Sequence, residues 1–288
     1  MNKINPRVDI AFKKIFGVEE NKDLLMSLIN SVVSETDQVS DVTLLNPYSS
    51  QNYKKDKLSI LDIKARGVDD KLFNIEIQIV DEADYHKRAL FYWGKLYTEQ
   101  LRAGDDYWQL SKAIGIHILN FTSIPELPKY HNVFHVVEKE SGFVYFKDLE
   151  LHTIELKKFT SNPQEKLTEL VAKVQNSLDV WSAFLTRHEL LKQDELPQVL
   201  DNPSLKKALT VLEIMNFNQD EQETYQGQLN WLRLEDSGIR KAQADAMERG
   251  KAEGKIEMAK NLLKAGVPIG VIAESSGLTA EDIAKLQA

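Results

Sequence analysis

The 288-residue sequence contains no cysteine, which excludes a disulfide framework and any metal site built from thiolates. No apolar run approaches the length of about 18 residues that a membrane-spanning helix needs. The N-terminus has no apolar stretch of the secretory type, and the lack of cysteine fits a reducing compartment. These absences together predict a cytoplasmic protein with no membrane partner.

Positive charge is also scarce, because 44 acidic residues outnumber 36 basic ones and give a net charge of −8. This balance argues against a surface coated with basic patches, although a local basic groove can still bind nucleic acid. The six histidines show no H-x-x-x-H or H-x-H spacing, so a zinc site is not expected. The chain also lacks a Gly-rich phosphate loop and a G-x-S-x-G elbow.

Two strand-like segments, 59–66 and 72–80, carry the clearest pattern in the chain. In the second segment, apolar residues alternate with Asn74, Glu76 and Gln78. Such alternation at every second residue, with many β-branched side chains, predicts a strand with one buried face. The five residues between the segments have the composition of a turn, so the two strands are expected to form a hairpin.

The register of that hairpin decides its chemistry. If the turn is centred on Asp69, then Asp62 lies opposite Glu76, with Cβ atoms about 4.5–5.5 Å apart. Two carboxylates at that distance repel each other unless a cation lies between them or one of them is protonated. A hard divalent cation such as Mg²⁺ suits such a pair. A two-residue loop would instead place the two acids on opposite faces, and on an ordinary hairpin both would simply be solvated.

Asp62, followed after about a dozen residues by Glu76-x-Gln78 within a strand, resembles the core motif of the PD-(D/E)XK nucleases. The chain is most similar to the Rpn-type recombination-promoting nucleases, a branch also described as PD-(D/E)XK transposases. Its glycine–lysine run after Gly250 is typical of that branch. Four further segments match it: Asp9-x-x-Phe12-Lys13-Lys14-x-Phe16-Gly17, Arg88-x-x-x-Tyr92-Trp93, Gln100-x-x-x-Gly104-x-x-Tyr107 and the strand 114–121.

The resemblance implies a function and a set of site residues. It implies a DNA endonuclease that uses Mg²⁺, or another divalent cation such as Mn²⁺, in recombination or mobile-element biology. Asp62 and Glu76 would bind the metal ion, and Asp9 on the first helix is a further candidate acid. Asp9 is alternatively an exposed residue that pairs with Lys13. The competing hypothesis is a catalytically weak or inactive nuclease-fold protein that binds DNA or another protein.

Most of the superfamily that the chain resembles carries a lysine at the third motif position, whereas in the Rpn-type branch this residue is often glutamine, as Gln78 is here. Gln78 can hydrogen-bond a water molecule through its amide but cannot supply a charge. Lys64, on the same face as Asp62, is a candidate to compensate. His117 is expected to be a hydrogen-bonded core residue. Arg88 and Tyr92 lie one helical turn apart, a spacing that suits a phosphate clamp; the alternative is that Tyr92 belongs to the packing face of the helix.

The order of helix, strand, hairpin, helix and strand predicts an α/β fold. We expect a PD-(D/E)XK-like mixed central sheet flanked by helices, followed by an all-helical C-terminal extension. Gly250 and Gly254 each weaken a helix by about 1 kcal/mol. The expected segments are a nuclease core (1–162), a helical extension (163–237), a linker or marginal helix (238–255) and a three-helix, helix-turn-helix-like module (256–288). This last module is expected to contact DNA or a second copy of the chain.

Overall fold

The computed structural model describes residues 4–48 and 62–286, and these form a mixed six-stranded sheet with helices on both faces. In space the strands follow the order β1-β2-β3-β4-β6-β5. The neighbours β3, β4 and β6 run parallel, whereas the other neighbouring pairs are antiparallel. The predicted fold class is thereby confirmed. The strands are β1 (Val42–Leu44), β2 (Asp62–Gly67), β3 (Leu72–Gln78), β4 (Ala113–Leu119), β5 (His131–Val137) and β6 (Val144–Glu155).

In the described residues, the first α-helix begins at Asp9 and the last ends at Lys285. In this part of the protein, no helix combines the length and the apolar character needed to cross a membrane. The helices are α1 (Asp9–Phe16), α2 (Lys22–Val32), α3 (Tyr85–Thr98), α4 (Leu156–Phe159), α5 (Leu167–Lys173), α6 (Ser177–Arg187), α7 (Pro203–Ile214), α8 (Gln219–Lys264), α9 (Ile269–Ser276) and α10 (Ala280–Lys285).

The hairpin of β2 and β3 has the register that the sequence predicts. Asp62 pairs with Glu76, and Lys64 pairs with Asn74. The turn is closed by a hydrogen bond of 2.9 Å from the backbone N–H of Gly67 to the carbonyl of Lys71. Because the pairing is antiparallel and in register, Asp62 and Glu76 start from directly opposite backbone positions.

One large hydrophobic core holds the sheet and most of the helices together. Phe73, Ile75 and Ile77 of β3 point into it, where they meet apolar residues of α1, α2, α6 and α7. The rings of Phe16 and Trp181 pack edge to face with centroids 5.2 Å apart. Helices α5, α6 and α7 therefore share a core with the sheet.

The chain divides into two compact units, Met1–Leu229 and Asn230–Ala288. The finer division at residues 162, 237 and 255 stays a prediction. In the second unit, Ala259, Ile272 and Ile283 form a small buried cluster. Thr279 caps α10, since its hydroxyl accepts a hydrogen bond of 3.1 Å from the backbone N–H of Asp282.

Strand β6 is continuous from Val144 to Glu155. The pairing of β6 with its antiparallel partner β5 is irregular, with register shifts between Phe134 and Val137. The glycine-containing segment 238–255 lies within α8, which runs without interruption from Gln219 to Lys264.

Candidate functional site

Three polar residues of β3 share one face of the sheet, and all three are buried. Asn74, Glu76 and Gln78 alternate with the core-facing residues, as the period of a strand requires. Glu76 has 0% of its surface exposed. Both faces of β3 are buried, so the prediction of one buried face is wrong, and so is the alternative in which Glu76 is a solvated acid.

Helix α3 covers this polar face, which explains the burial. Near one end of the face, Tyr85 and Ala89 pack on Leu119 and Phe121. Toward the other end, Leu96 packs on Leu72 and Ala113, with Trp93 and Tyr97 against the same cluster. Glu76 thus lies on a polar stretch of sheet between two apolar contacts with the same helix.

The two carboxylate oxygens of Glu76 have different surroundings. Its Oε1 lies 3.4 Å from Nη2 of Arg88, which is the partner on α3. Its Oε2 has no hydrogen-bond partner among the described residues and lies 3.6 Å from Nδ1 of His117. An anionic oxygen that is buried without a donor is costly, unless a cation or a ligand compensates it.

His117 is the neighbour of Glu76 on β4, in register with it across the parallel pair. Its ring is only 2% exposed and meets the ring of Tyr85 edge to face, with centroids 5.9 Å apart. The expectation that His117 is hydrogen-bonded is wrong for the described residues, because neither ring nitrogen has a hydrogen-bond partner among them. The imidazole therefore lies beside Glu76 with unused hydrogen-bonding capacity.

Both ends of the Gln78 amide are engaged. Nε2 donates a hydrogen bond of 3.0 Å to the carbonyl of Val80. Oε1 accepts one of 2.5 Å from Nη2 of Arg88. Arg88 therefore contacts Glu76 and Gln78 with the same nitrogen, a convergence that spacing along the sequence does not reveal.

Asp9 is buried on α1, with 4% of its surface exposed, so the alternative of an exposed residue is wrong. The expected pair with Lys13 is present, with Oδ2 lying 3.2 Å from Nζ. Burial raises the pKa of Asp9 to about 6, against the opposing effect of Lys13, and the negative charge of Glu76 adds to the rise. The structure therefore brings Asp9 within electrostatic range of Glu76.

The other two candidates lie on β2. Asp62 begins the strand and pairs with Glu76 through the backbone, but its side chain lies outside the described part of the protein. Lys64 pairs with Asn74, two residues along from the Asp62–Glu76 pair. Its Nζ lies 3.7 Å from Oε2 of Glu99 just after α3. Glu99 thus partly balances the positive charge of Lys64.

The oxygen atoms of this region fit a hard divalent cation. Oδ1 of Asp9 and Oε2 of Glu76 are both buried and have no hydrogen-bond partner among the described residues. Carboxylate oxygens are the ligands that Mg²⁺ prefers. No group of three or more acidic, histidine or cysteine side chains in the described ranges could hold a metal on its own. Asp62 pairs with Glu76 through the backbone, and its side chain lies outside these ranges.

A second buried polar cluster lies on the opposite face of the sheet and was not foreseen from the sequence. Nζ of Lys112 lies 2.8 Å from both Asp37 and Glu150. Glu150 also contacts His152 at 2.7 Å, and His152 contacts His131 at 3.0 Å. Burial and the neighbouring His152 lower the pKa of His131 to about 4. This network joins β4, β5 and β6 to the segment before β1.

Comparisons with known proteins identify the family. The family model described as "PD-(D/E)XK nuclease family transposase" matches residues 6–242, which is most of the chain. No curated protein and no solved structure matches the chain. Nucleases of this superfamily typically use divalent metal ions. Membership of a nuclease family implies that the substrate is DNA. The mixed sheet, the D…E-x-Q hairpin and this match agree, and the chain belongs to the PD-(D/E)XK nuclease family transposases.

Proposed function

We propose that this protein is a divalent-metal-dependent DNA endonuclease that hydrolyses phosphodiester bonds, with a role in recombination or in mobile elements. One observation carries the proposal. Asp62 and Glu76 are opposite each other in the hairpin, and Oε2 of Glu76 is buried without a hydrogen-bond donor among the described residues. An unpartnered carboxylate whose residue pairs across the hairpin with a second acidic residue is an arrangement that a cation stabilises.

Asp62 and Glu76 are the proposed metal ligands. These two residues would hold Mg²⁺ or Mn²⁺, which when bound would supply a Lewis acid for the phosphate and for the attacking water. Asp9 adds a third carboxyl group, whose pKa of about 6 lets it exchange a proton near neutral pH. Helix α3 covers the polar face and excludes water from it, which strengthens every charge interaction there.

The C-terminal helices are a second part of the proposal, because apolar side chains of the second unit are exposed. Met247, Met258 and Val271 each have more than a third of their surface exposed. Helix α10 carries Glu281 and Asp282 in its first turn, which disfavours close approach to a phosphate backbone. We therefore favour self-association over direct DNA reading for residues 256–288.

The proposal is tested by nicking of supercoiled plasmid DNA in Mg²⁺, in Mn²⁺ and in EDTA. The wild-type protein is compared with Asp62→Asn, Glu76→Gln and the control Asp70→Asn. Asp70 is an exposed acid of the same hairpin with a φ of 62°, a conformation that asparagine also adopts. We expect metal-dependent nicking by wild type and Asp70→Asn, and none by the other two variants.

The competing hypothesis gives a different result in the same assay. A nuclease-fold protein that only binds would retard the plasmid on a gel without converting it to the open circle, in every metal. Wild-type nicking that survives Asp62→Asn would place the chemistry outside the hairpin. Either result would overturn the proposed assignment.

A further inference from the structure

The motif lacks a positive charge where related enzymes carry a lysine, because Gln78 occupies that position. Phosphodiester hydrolysis builds negative charge on the phosphate, and a fixed cation beside it lowers the barrier. Water adds its oxygen to phosphorus, the bond from phosphorus to the leaving oxygen breaks, and that oxygen takes up a proton. If this site cuts DNA, another residue has to supply the positive charge.

Two lysines near the site are held by other acids. Nζ of Lys13 lies 3.2 Å from Asp9, and the pair is buried within one turn of α1. Nζ of Lys64 is 3.7 Å from Glu99, and its backbone pairs with Asn74, not with Glu76. Neither lysine has a contact with Glu76 or Gln78 among the described residues.

Arg88 contacts both motif residues. Its Nη2 lies 3.4 Å from Oε1 of Glu76 and 2.5 Å from Oε1 of Gln78. The guanidinium thus occupies the space at the end of the Gln78 side chain, where a longer cationic side chain at position 78 would place its charge. The contact to Glu76 leaves Oε2 of that residue without a donor among the described residues.

The first turn of α3 holds Arg88 in this place. The guanidinium carbon lies 5.8 Å from the centre of the Tyr85 ring, one turn earlier, and Tyr85 is itself packed on the sheet. Nη1 contacts Glu82 at 2.6 Å, on the more exposed side. The Arg88 side chain remains 20% exposed, so part of it is accessible to a ligand.

We propose that Arg88 is a catalytic residue that contacts the scissile phosphate and supplies the charge that Gln78 lacks. The inference rests on the proposed function and deepens it. An arginine remains protonated at every working pH and presents several N–H donors to phosphate oxygens. Gln78 then has a positioning role, because its Oε1 accepts from Nη2 and fixes the orientation of the guanidinium.

The test moves the charge and asks whether activity follows it. Single-turnover cleavage is measured for wild type, Arg88→Met, Arg88→Gln, Arg88→Lys and the double variant Arg88→Met with Gln78→Lys. Arg88→Gln keeps an N–H donor for the side-chain oxygen of Gln78 but removes the positive charge of the guanidinium. The matched control is Lys87→Met, which removes one positive charge from an exposed neighbouring position on α3. DNA affinity in EDTA and the thermal midpoint are measured on the same samples.

We expect Arg88→Met and Arg88→Gln to cut about 10²-fold more slowly than wild type, the size of effect seen when one charge-stabilising donor is lost. Arg88→Lys and the double variant should each cut at least about tenfold faster than Arg88→Met. Lys87→Met should cut like wild type. DNA affinity in EDTA should change less than the cleavage rate, since the charge acts mainly in the transition state.

Three results would overturn the inference. Arg88→Gln that cuts within a factor of about three of wild type would show that the charge is dispensable. Loss in Arg88→Met with no recovery in either lysine variant would assign Arg88 a purely structural role beside Glu76. A wild-type protein that cuts no DNA would overturn the proposed function and this inference together, whereas the first two results leave the proposed function standing.

Discussion

Asp9 makes stability depend on pH in a direction opposite to that of most carboxyl groups. Burial raises its pKa to about 6 from an ordinary value of 3.8, against the opposing effect of Lys13. The folded protein therefore binds the proton more tightly than the unfolded chain does between these pH values. As the pH rises through that window, stability falls, and the loss is nearly complete about one unit above the folded pKa, near pH 7.

The size of the effect follows from the two pKa values. A rise of about two pKa units corresponds to about 3 kcal/mol at pH 7, since each unit is worth about 1.4 kcal/mol. Integration between pH 4.5 and pH 7 gives about 2 kcal/mol of that loss. Asp9 is 4% exposed, so screening by solvent reduces this figure little.

The perturbation is Asp9→Asn, which keeps the shape of the side chain and removes its titration. Urea unfolding in EDTA is followed by tryptophan fluorescence, because Trp181 is buried against Phe16 in the core of the first unit. Removing the partner of Lys13 costs stability at every pH. The pH-dependent part of the difference between the two proteins therefore reports Asp9.

We compare the free energy of unfolding of wild type with that of Asp9→Asn. The difference, wild type minus variant, should fall by about 2 kcal/mol between pH 4.5 and pH 7. A difference that stays constant with pH would refute the raised pKa of Asp9. A difference that grows with pH would mean that the ion pair with Lys13 outweighs burial. Either result would also remove Asp9 from the proton-exchanging role proposed above.

Three further predictions concern other parts of the chain. Lys112→Met should lower the free energy of unfolding by about 3 kcal/mol at pH 7, because Glu150 loses its lysine partner and Asp37 keeps only Lys71. Burial raises the pKa of both acids, but their hydrogen bonds outweigh it and lower the pKa, so urea unfolding should show this difference shrinking as pH falls below 4. Gly277→Ala should destabilise the second unit by about 1 kcal/mol in thermal unfolding, because the φ of 66° is unfavourable for alanine. Deletion of residues 250–288 should leave plasmid nicking detectable and reduce self-association in analytical ultracentrifugation; loss of folding would show that this segment is required by the rest of the chain.

The sequence was sufficient to predict the hairpin, because its pattern is local. The alternation around Glu76 gives the faces of β3, and the turn composition around Asp69 gives the register with Asp62. The outer bounds of the helices were less well predicted. Helix α3 ends at Thr98, six residues before Gly104 with its φ of 97°, so that glycine does not mark the end of the helix.

The surroundings of the site could not be read from the sequence, because they depend on contacts between distant segments. Burial of Glu76 comes from the docking of α3 onto the sheet through Tyr85 and Leu96. The contact of Arg88 with Gln78 depends on the same docking. The cluster around Lys112 joins residues more than 30 positions apart, and no periodic pattern marks such partners.

The central claim is that Asp62 and Glu76 hold one divalent cation between them. Its most direct test is binding of Mn²⁺ at millimolar concentration, followed by the loss of the electron paramagnetic resonance signal of free Mn²⁺. Wild type and Asp70→Asn are predicted to bind the ion equally well, whereas Asp62→Asn and Glu76→Gln should each lose that binding. Wild-type binding by Glu76→Gln would contradict the claim.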